Sequence, residues 1–219
     1  MSLATRVATG ELVRAPEFLH RATPLDEWEW ITAAAMLSDG ERRRLRRSTA
    51  RGAEVLLTGR LLARSLAGDI LGLDPAEVPL SAECPDCDEE HGRPVVEGTR
   101  LHVSLSHCDG VTVAAASWGA AVGVDIERND HSPERLDAIE TLTGQRSLRH
   151  WTRVEAVLKA DGRGLRVDPG NVRVLVDGAR LEAWVDGSAT LYRLIDLDLS
   201  SVVDGSDIIG SAAVELAAA

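Results

Sequence analysis

The chain has 219 residues, of which 44% are hydrophobic, and it carries a formal net charge of −11 with a pI near 5.0. Its length allows a buried core in one large domain or two small ones. The acidic balance argues against a dedicated nucleic-acid binder, whose phosphate contacts require a basic face. No apolar run approaches the length of a membrane span, and the first ten residues lack a signal-peptide pattern. We therefore expect a cytoplasmic protein without nucleic-acid or membrane partners.

The first strong helix signal begins at Ser38, because Ser38 and Glu41 have the spacing of a capping box. The arginine-rich stretch that follows is interpreted as a mostly solvated helix, with one or two arginines free to meet a ligand phosphate or an acidic partner. Apolar residues at helical spacing from Leu56 to Leu71 predict a long helix, and Gly72 is its expected end.

A Cys-x-x-Cys turn lies in the Pro- and Gly-rich segment 79–98, which we predict to be an irregular loop. Cys84 and Cys87 could present two thiolates to one zinc ion, with His91 nearby. A closed structural site needs four ligands, and the only candidates to complete it are Cys108, His102 and His107. Because three cysteines in total fit a reducing compartment, we favour a plain turn with two free thiols over zinc, and zinc over a redox motif.

The second half of the chain is richer in strands. Alternating and β-branched runs predict three consecutive strands that could form an antiparallel meander, at residues 101–106, 111–117 and 121–127. After a polar segment with weak helical signals, a helix is predicted from about Leu148 to Lys159, ended by Gly162. Four further strands are predicted at 172–176, 181–185, 190–196 and 208–216. Helix followed by strands thus occurs twice, which hints at two similar halves.

Two of these elements carry a candidate site. On the third strand, alternation places Asp125 and Glu127 on the same face. On the following helix, Trp151, Glu155 and Lys159 recur at i, i+4 and i+8 and so share one stripe. If the helix meets the strand end, three carboxylates converge beside one lysine, a donor set typical of Mg²⁺ bound next to a phosphate. The alternative is a solvated strand edge and a surface ion pair.

Four segments match one family's motifs in chain order. Gly92-Arg93-Pro94 is similar to a Gly-Lys-Pro motif, 103–107 to Phe-Asn-x-Ser-His, 122–127 to Gly-x-Asp-x-Glu, and 151–159 to Trp-x-x-Lys-Glu-Ala-x-x-Lys. Over about residues 38–169 the chain resembles the 4'-phosphopantetheinyl transferases that activate peptide and polyketide synthetases (Sfp-like). The resemblance implies a Mg²⁺-dependent enzyme of the holo-[acyl-carrier-protein] synthase type, with a role in secondary metabolite biosynthesis. Such enzymes transfer phosphopantetheine from coenzyme A to a serine of an apo acyl or peptidyl carrier protein and release adenosine 3',5'-bisphosphate.

The resemblance also implies residue roles. Asp125, Glu127 and Glu155 would hold Mg²⁺ against the coenzyme A pyrophosphate. Glu155 would be the general base and Lys159 would stabilise the pyrophosphate charge.

Other positions would bind the nucleotide end of coenzyme A. Arg93 and Pro94 would line the adenine pocket, whereas Ser106 and His107 would contact the 3'-phosphate. Trp151 is interpreted as a core anchor that seats the helix on the sheet.

The fold implied by the resemblance is α+β, with two pseudo-twofold-related subdomains, each a small antiparallel sheet packed with a long helix. The N-terminal half, 1–121, would carry the adenine and 3'-phosphate side, and the C-terminal half, 122–219, the magnesium and the catalytic helix. We expect a monomer whose halves bind coenzyme A between them.

The chain departs from the family pattern in three places. Val154 stands where the family has lysine, Glu54 and Val55 stand where it commonly has a basic residue early in the long helix, and the segment between Glu127 and Trp151 is short. That segment and the helix after it carry arginines that could meet an acidic carrier protein, namely Arg146, Arg149 and Arg153. Two alternatives follow: a degenerate protein that binds coenzyme A or docks carriers without catalysis, and a metal-dependent hydrolase of the coenzyme A pyrophosphate.

Overall fold

A computed structural model of the protein describes residues 15–84, 86–87, 89–178, 180–199 and 207–216. These residues form two antiparallel five-stranded sheets and five α-helices, which confirms the α+β fold class. The chain divides into two compact units between Gly119 and Ala120. The pseudo-twofold relation between the halves stays a prediction. None of the helices described has both the length and the apolar content that crossing a membrane requires.

The first unit contains a five-stranded sheet in the order β1-β5-β4-β3-β2. Its elements are β1 (Glu17–Arg21), α1 (Glu27–Ala35), α2 (Asp39–Arg47), α3 (Ala50–Leu71), β2 (Leu80–Ser81), β3 (Val95–Val96), β4 (Leu101–Cys108) and β5 (Val111–Trp118). The long helix α3 packs on the sheet through a cluster of small and branched side chains that includes Ala63, Ala67, Val103 and Ala114.

The predicted start of α2 at Ser38 and the predicted end of α3 at Gly72 are confirmed. Ser38 caps α2 through its Oγ, which accepts a hydrogen bond from the Glu41 amide at 3.0 Å, and the Glu41 carboxylate accepts one from the Ser38 amide at 3.1 Å. A second cap, Thr49, starts α3, so the arginine-rich helix and the long helix are separate. Gly72 ends α3 in the left-handed conformation, with φ of 70°.

Two arginines of α3 are buried for structural reasons. The guanidinium of Arg60 forms an ion pair with the fully buried carboxylate of Glu41, and Arg64 donates to the carbonyl oxygens of Val78 and Leu80. These contacts tie α3 to α2 and to the loop that leads into β2. Because buried charges are stable only when paired, both arginines serve the fold of this unit.

The second unit has the same strand order as the first: its earliest strand pairs with its last, and the remaining strands follow in reverse, β6-β10-β9-β8-β7. Its elements are β6 (Val122–Arg128), α4 (Pro133–Thr143), α5 (Leu148–Asp161), β7 (Val172–Asp177), β8 (Arg180–Val185), β9 (Leu191–Leu197) and β10 (Ile208–Glu215). Gly162, with φ of 81°, ends α5 as predicted. The repeated strand order agrees with the repeat of helix and strands seen in the sequence.

The predicted three-stranded meander is wrong in its third member. β4 and β5 pair as a hairpin, but β6 pairs with β10 and belongs to the other sheet. Alternation of side chains identifies a strand without identifying its partner, and β10 lies some eighty residues further along the chain. β1, which carries no motif, takes the open edge of β5 instead.

Gly123 sets how closely α5 approaches β6. A Cβ at this position would overlap the carbonyl oxygen of Ala156 and would lie 2.5 Å from the backbone nitrogen of Ala160. Only glycine therefore allows the backbones of helix and strand to lie this close. Other buried residues of the same helix, including Val154, Val157 and Leu158, pack into the core of the unit.

We expect Gly123→Ala to lower the free energy of unfolding by about 3 kcal/mol, because the added methyl group overpacks a rigid backbone contact. Gly59→Ala in α3 is the control, since its Cβ would make an ordinary contact of 3.4 Å with Leu105 and alanine favours a helix interior. Urea unfolding of both variants, followed by circular dichroism, measures the difference. Equal midpoints for the two variants would contradict the proposed close contact.

Candidate active site

The two central motifs meet where α5 crosses β6. Lys159 of α5 donates from Nζ to Oδ1 of Asp125 at 2.7 Å and to the carbonyl oxygen of Val124 at 3.0 Å. Asp125 is buried, with 6% of its surface exposed, whereas the Lys159 side chain is 29% exposed. The structure thus pairs Lys159 of the helix motif with Asp125 of the strand motif.

Glu127 lies two residues further along β6 and is held from two sides. Its Oε2 accepts from Nη2 of Arg135 in α4 at 2.5 Å, and its Oε1 accepts from Nε1 of Trp151 at 3.2 Å. Trp151 also packs against an apolar cluster formed by Leu136, Ile139 and Leu148. The tryptophan therefore anchors the helix, as expected, and in addition orients a candidate ligand. Arg135 was missed, since its polar sequence surroundings give no sign of this contact.

Glu155 is partly buried on the same stripe of α5. Burial raises the pKa of its carboxyl group, and the negative charges of Asp125 and then Glu127 act in the same direction, while Lys159 opposes them. The charges of Asp125 and Glu127 therefore act on Glu155. Their oxygens do not form a compact cluster: among described residues, the three-ligand group within 4.8 Å consists of Cys84, Cys87 and His91.

The donor set fits a hard divalent cation. Asp125, Glu127 and Glu155 offer carboxylate oxygens, and Mg²⁺ prefers a few of these together with phosphate and water. Accumulated negative charge around Glu155 favours a cation in this region. In the arrangement described here, Lys159 and Arg135 supply positive charge to two of the three acids.

A row of polar residues fixes α5 on the sheet beside these acids. Asp125, Ser211 and Asp196 are register partners across β6, β10 and β9, so their side chains share one face. Ser211 is fully buried, and its Oγ lies 2.9 Å from Thr152 Oγ1 and 3.1 Å from Asp196 Oδ1. Arg153 completes the row by a bidentate pair with Asp196, at 2.6 and 3.0 Å.

The arginines expected to face a carrier protein are paired within the chain. Arg146 contacts Asp137 at 2.8 Å, and Arg149 lies 3.8 Å from the same Asp196 that Arg153 binds. Their charges are therefore largely balanced by local carboxylates.

The valine found in place of the family's lysine has a structural explanation. Val154 has no exposed surface and belongs to the core cluster of the unit, together with Val157 and Leu158. Its side chain is thus a core contact.

A cavity of about 950 Å³ lies in the first unit, at the end of β4 and the start of α3. His107, Arg44 and Arg51 line it together with the first turn of α3, where Thr49 accepts a hydrogen bond from the Gly52 amide at 3.2 Å. Burial lowers the pKa of Arg44, and the charge of Arg60 adds to this, although an arginine remains cationic. Basic side chains and a helix N-terminus together favour an anion.

The other nucleotide-binding candidates lie elsewhere in the first unit. Ser106 is buried within β4, with 5% of its surface exposed, while Arg93 and Pro94 are half-buried just before β3. None of the three lines the cavity that contains His107. Glu54 and Val55, where the family has a basic residue, do line it.

No protein-family model matches the chain. The chain is similar to the 4'-phosphopantetheinyl transferase HetI of Nostoc sp. (strain PCC 7120), with 27% identity over 128 residues. This similarity covers 49% of the chain and 51% of HetI, so the chain spans about half the length of the curated relative that it matches. It confirms the resemblance to the phosphopantetheinyl transferase superfamily that the order of the motifs indicated.

Asp196 is expected to make the stability of the second unit depend on pH. Burial alone would raise its pKa, but the bond and charge of Arg153, with Arg149 and Ser211, outweigh burial and hold the pKa below the ordinary value of 3.8. A lowered folded-state pKa stabilises the fold above the unfolded-state pKa, and this contribution is lost as the pH falls through the folded-state value. Asp196→Asn should therefore cost about 1 kcal/mol at neutral pH and progressively less in acid.

Thermal unfolding of the protein and of Asp196→Asn between pH 7 and pH 3 tests this expectation. Asp186→Asn is the control, because Asp186 forms an exposed ion pair with Arg173, which contributes little. A stability difference for Asp196→Asn that stays constant over the whole pH range would contradict the role of its charge.

Proposed function

We propose that the protein transfers 4'-phosphopantetheine from coenzyme A to a serine of an apo acyl or peptidyl carrier protein. The observation that carries the proposal is the contact between Lys159 and Asp125, which brings the motifs of α5 and β6 into one polar site. Glu127 lies on the same strand as Asp125, and Glu155 lies on the same helix as Lys159. The similarity to HetI covers about half of the chain.

The reaction is a displacement at phosphorus. The serine oxygen of the carrier forms a bond to the phosphorus that bears pantetheine, and the bond from that phosphorus to the bridging pyrophosphate oxygen breaks. Adenosine 3',5'-bisphosphate leaves with the bonding electron pair, and the serine proton passes to a base. The site therefore has to accept one proton and stabilise the charge of the pyrophosphate.

Glu155 is the proposed base. Burial and the nearby acids raise its pKa, so its carboxylate holds a proton more strongly than an exposed glutamate does. Lys159 supplies positive charge to the pyrophosphate from a partly exposed position at the edge of the same helix. Trp151 and Arg135 keep Glu127 oriented.

Asp125, Glu127 and Glu155 are the proposed ligands of Mg²⁺. When bound, the ion supplies neutralisation of the charge on the pyrophosphate oxygens. For Asp125 and Glu127 to serve as ligands, Lys159 and Arg135 have to yield part of their contacts with these carboxylates. This would leave the Lys159 ammonium available to the substrate.

The cavity beside His107 is the proposed site of the 3'-phosphate of coenzyme A. Arg44, Arg51 and the first turn of α3 supply the positive potential there, in a chain that lacks the family's basic residue at Glu54 and Val55. Arg93 and Pro94 remain the proposed contacts of adenine. Ser106 does not line this cavity and is therefore not among the groups that we propose to contact the phosphate there.

The finer assignment is the holo-[acyl-carrier-protein] synthase type, acting as a monomer in the cytoplasm on carrier domains of secondary metabolism. Its basis is the order of the four motifs. The two alternatives, a binding protein without activity and a pyrophosphate hydrolase, are separated from it by the outcome of the transfer assay.

Intact-mass spectrometry tests the transfer directly. An apo carrier protein incubated with the protein, coenzyme A and Mg²⁺ should gain the mass of one phosphopantetheine, and the gain should disappear with a chelator. Glu155→Gln and Asp125→Asn should slow the gain roughly 10²-fold or more, because one removes the base and both remove a metal ligand.

Glu134→Gln is the matched control, since Glu134 is an exposed acid in α4 that contacts none of these groups. Full activity in Asp125→Asn would exclude the proposed metal site. No transfer to peptide-synthetase, polyketide and fatty-acid carriers would favour the inactive binding protein if coenzyme A stays intact, and the hydrolase if it is cleaved.

His107→Ala should raise the KM for coenzyme A about tenfold with little change in kcat, because His107 lines the cavity that we assign to substrate binding. Steady-state kinetics with coenzyme A and with 3'-dephospho-coenzyme A separate the two effects. The variant and the unchanged protein should differ much less with the dephosphorylated substrate. His131→Ala, at an exposed position, is the control. An unaltered KM would remove His107 from the phosphate site.

A further inference from the structure

The loop between β2 and β3 brings together three metal-ligating side chains that the proposed transfer does not use. The Sγ atoms of Cys84 and Cys87 and a ring nitrogen of His91 all lie within 4.8 Å of one another. The Cys87 Sγ is 3.1 Å from the His91 Nε2. Cys87 and His91 are exposed and Cys84 is half-buried, so the group is open to solvent.

These spacings suit one tetrahedral ion. With Zn–S bonds of about 2.3 Å and Zn–N bonds of about 2.0 Å, the edges of a tetrahedral site are about 3.8 Å between sulfurs and about 3.5 Å between sulfur and nitrogen. Small movements of exposed side chains bridge the remaining differences. Two thiolates and an imidazole select zinc over magnesium, which prefers oxygen ligands.

We propose that Cys84, Cys87 and His91 bind one zinc ion, with a water molecule in the fourth position. The sequence alone favoured a plain turn with two free thiols, and the structure adds that His91 lies beside both of them. Cys108, His102 and His107, the fourth ligands considered from the sequence, do not belong to the cluster, and His107 and Cys108 line the cavity instead. Solvent is thus the source of the fourth ligand in the part of the chain that the structure describes.

The backbone holds this loop closed independently of a metal. The Cys84 amide donates to the Glu89 carbonyl at 3.0 Å, and the Gly92 amide donates to the Ala82 carbonyl at 2.7 Å. A Cβ at Gly92 would overlap the Glu83 carbonyl, so only glycine permits the closure. A loop folded in advance in this way lowers the ordering cost of binding an ion.

The loop is also fastened to α2. Glu90 accepts from the Ser38 hydroxyl at 2.5 Å, and Glu89 forms an ion pair with Arg47 at 3.0 Å. Arg93 and Pro94 follow His91 directly, so a bound ion would fix the start of that segment. In this proposal the ion stabilises the loop that carries its three ligands and takes no part in phosphoryl transfer.

Metal analysis of the protein tests the proposal. Protein purified with a phosphine reductant and supplied with one equivalent of Zn²⁺ should retain close to one ion per chain through gel filtration. Replacement by Co²⁺ should give the visible bands of tetrahedral cobalt together with thiolate-to-cobalt charge transfer. Cys87→Ser and His91→Asn should each weaken Zn²⁺ binding tenfold or more in a competition titration with a chromogenic chelator.

Cys108→Ser and His131→Asn are the matched controls and should bind Zn²⁺ as the unchanged protein does. Circular dichroism establishes that each variant is folded. Hydrogen exchange should slow in residues 84–92 when Zn²⁺ is added and should not change in Cys87→Ser.

Several outcomes would overturn the proposal. They are the absence of bound Zn²⁺ in reduced, folded protein, unchanged binding in both Cys87→Ser and His91→Asn, and an octahedral cobalt spectrum without charge transfer. A Cys84–Cys87 disulfide that persists under the reductant would likewise exclude the zinc site.

Discussion

The backbone contact between α5 and β6 at Gly123 is the constraint on which the candidate active site depends. It brings the helix near enough for Lys159 to reach both Asp125 and the carbonyl oxygen of Val124. A side chain at 123 would move the helix outward, and every residue on its inner stripe would move with it, because helices shift as rigid elements. The glycine of the strand motif is thus required by the close packing of helix and strand. The two acids of the same motif form ion pairs, Asp125 with Lys159 and Glu127 with Arg135.

Charge balance is the second feature that shapes the site. Burial raises the pKa of Glu155, and the negative charges of Asp125 and Glu127 raise it further. The protein balances these two charges with two cations, Lys159 on Asp125 and Arg135 on Glu127. Neither pair is fully buried, so each can exchange partners at a modest free-energy cost. Carboxylates and cations that can exchange partners in this way suit a site that binds a divalent cation together with an anionic substrate.

Sequence periodicity was sufficient to predict which site residues share one face of a single strand or a single helix. Alternation placed Asp125 and Glu127 on one face, and helical spacing placed Glu155 and Lys159 on another. Capping residues gave the start of α2 and the ends of α3 and α5. Contacts between distant segments left no such pattern: the partner of β6, the Arg135 bond and the row through Ser211 and Asp196 depend on tertiary pairing. β2 and β3, at two residues each, are too short to show alternation.

Val154 shows how a departure from a family pattern acquires a physical meaning only in the fold. Its position is fully buried among Val157, Leu158 and other apolar side chains, where an unpaired ammonium group would be costly. With valine there, the helix gains apolar packing on its inner side, and the positive charge beside the acids comes from Lys159 and Arg135. The absent lysine therefore does not deprive the carboxylates of neighbouring cations. For this reason the substitution by itself favours neither an inactive protein nor an active one. What distinguishes the two is whether Asp125 and Glu155 bind Mg²⁺ and Glu155 accepts the serine proton.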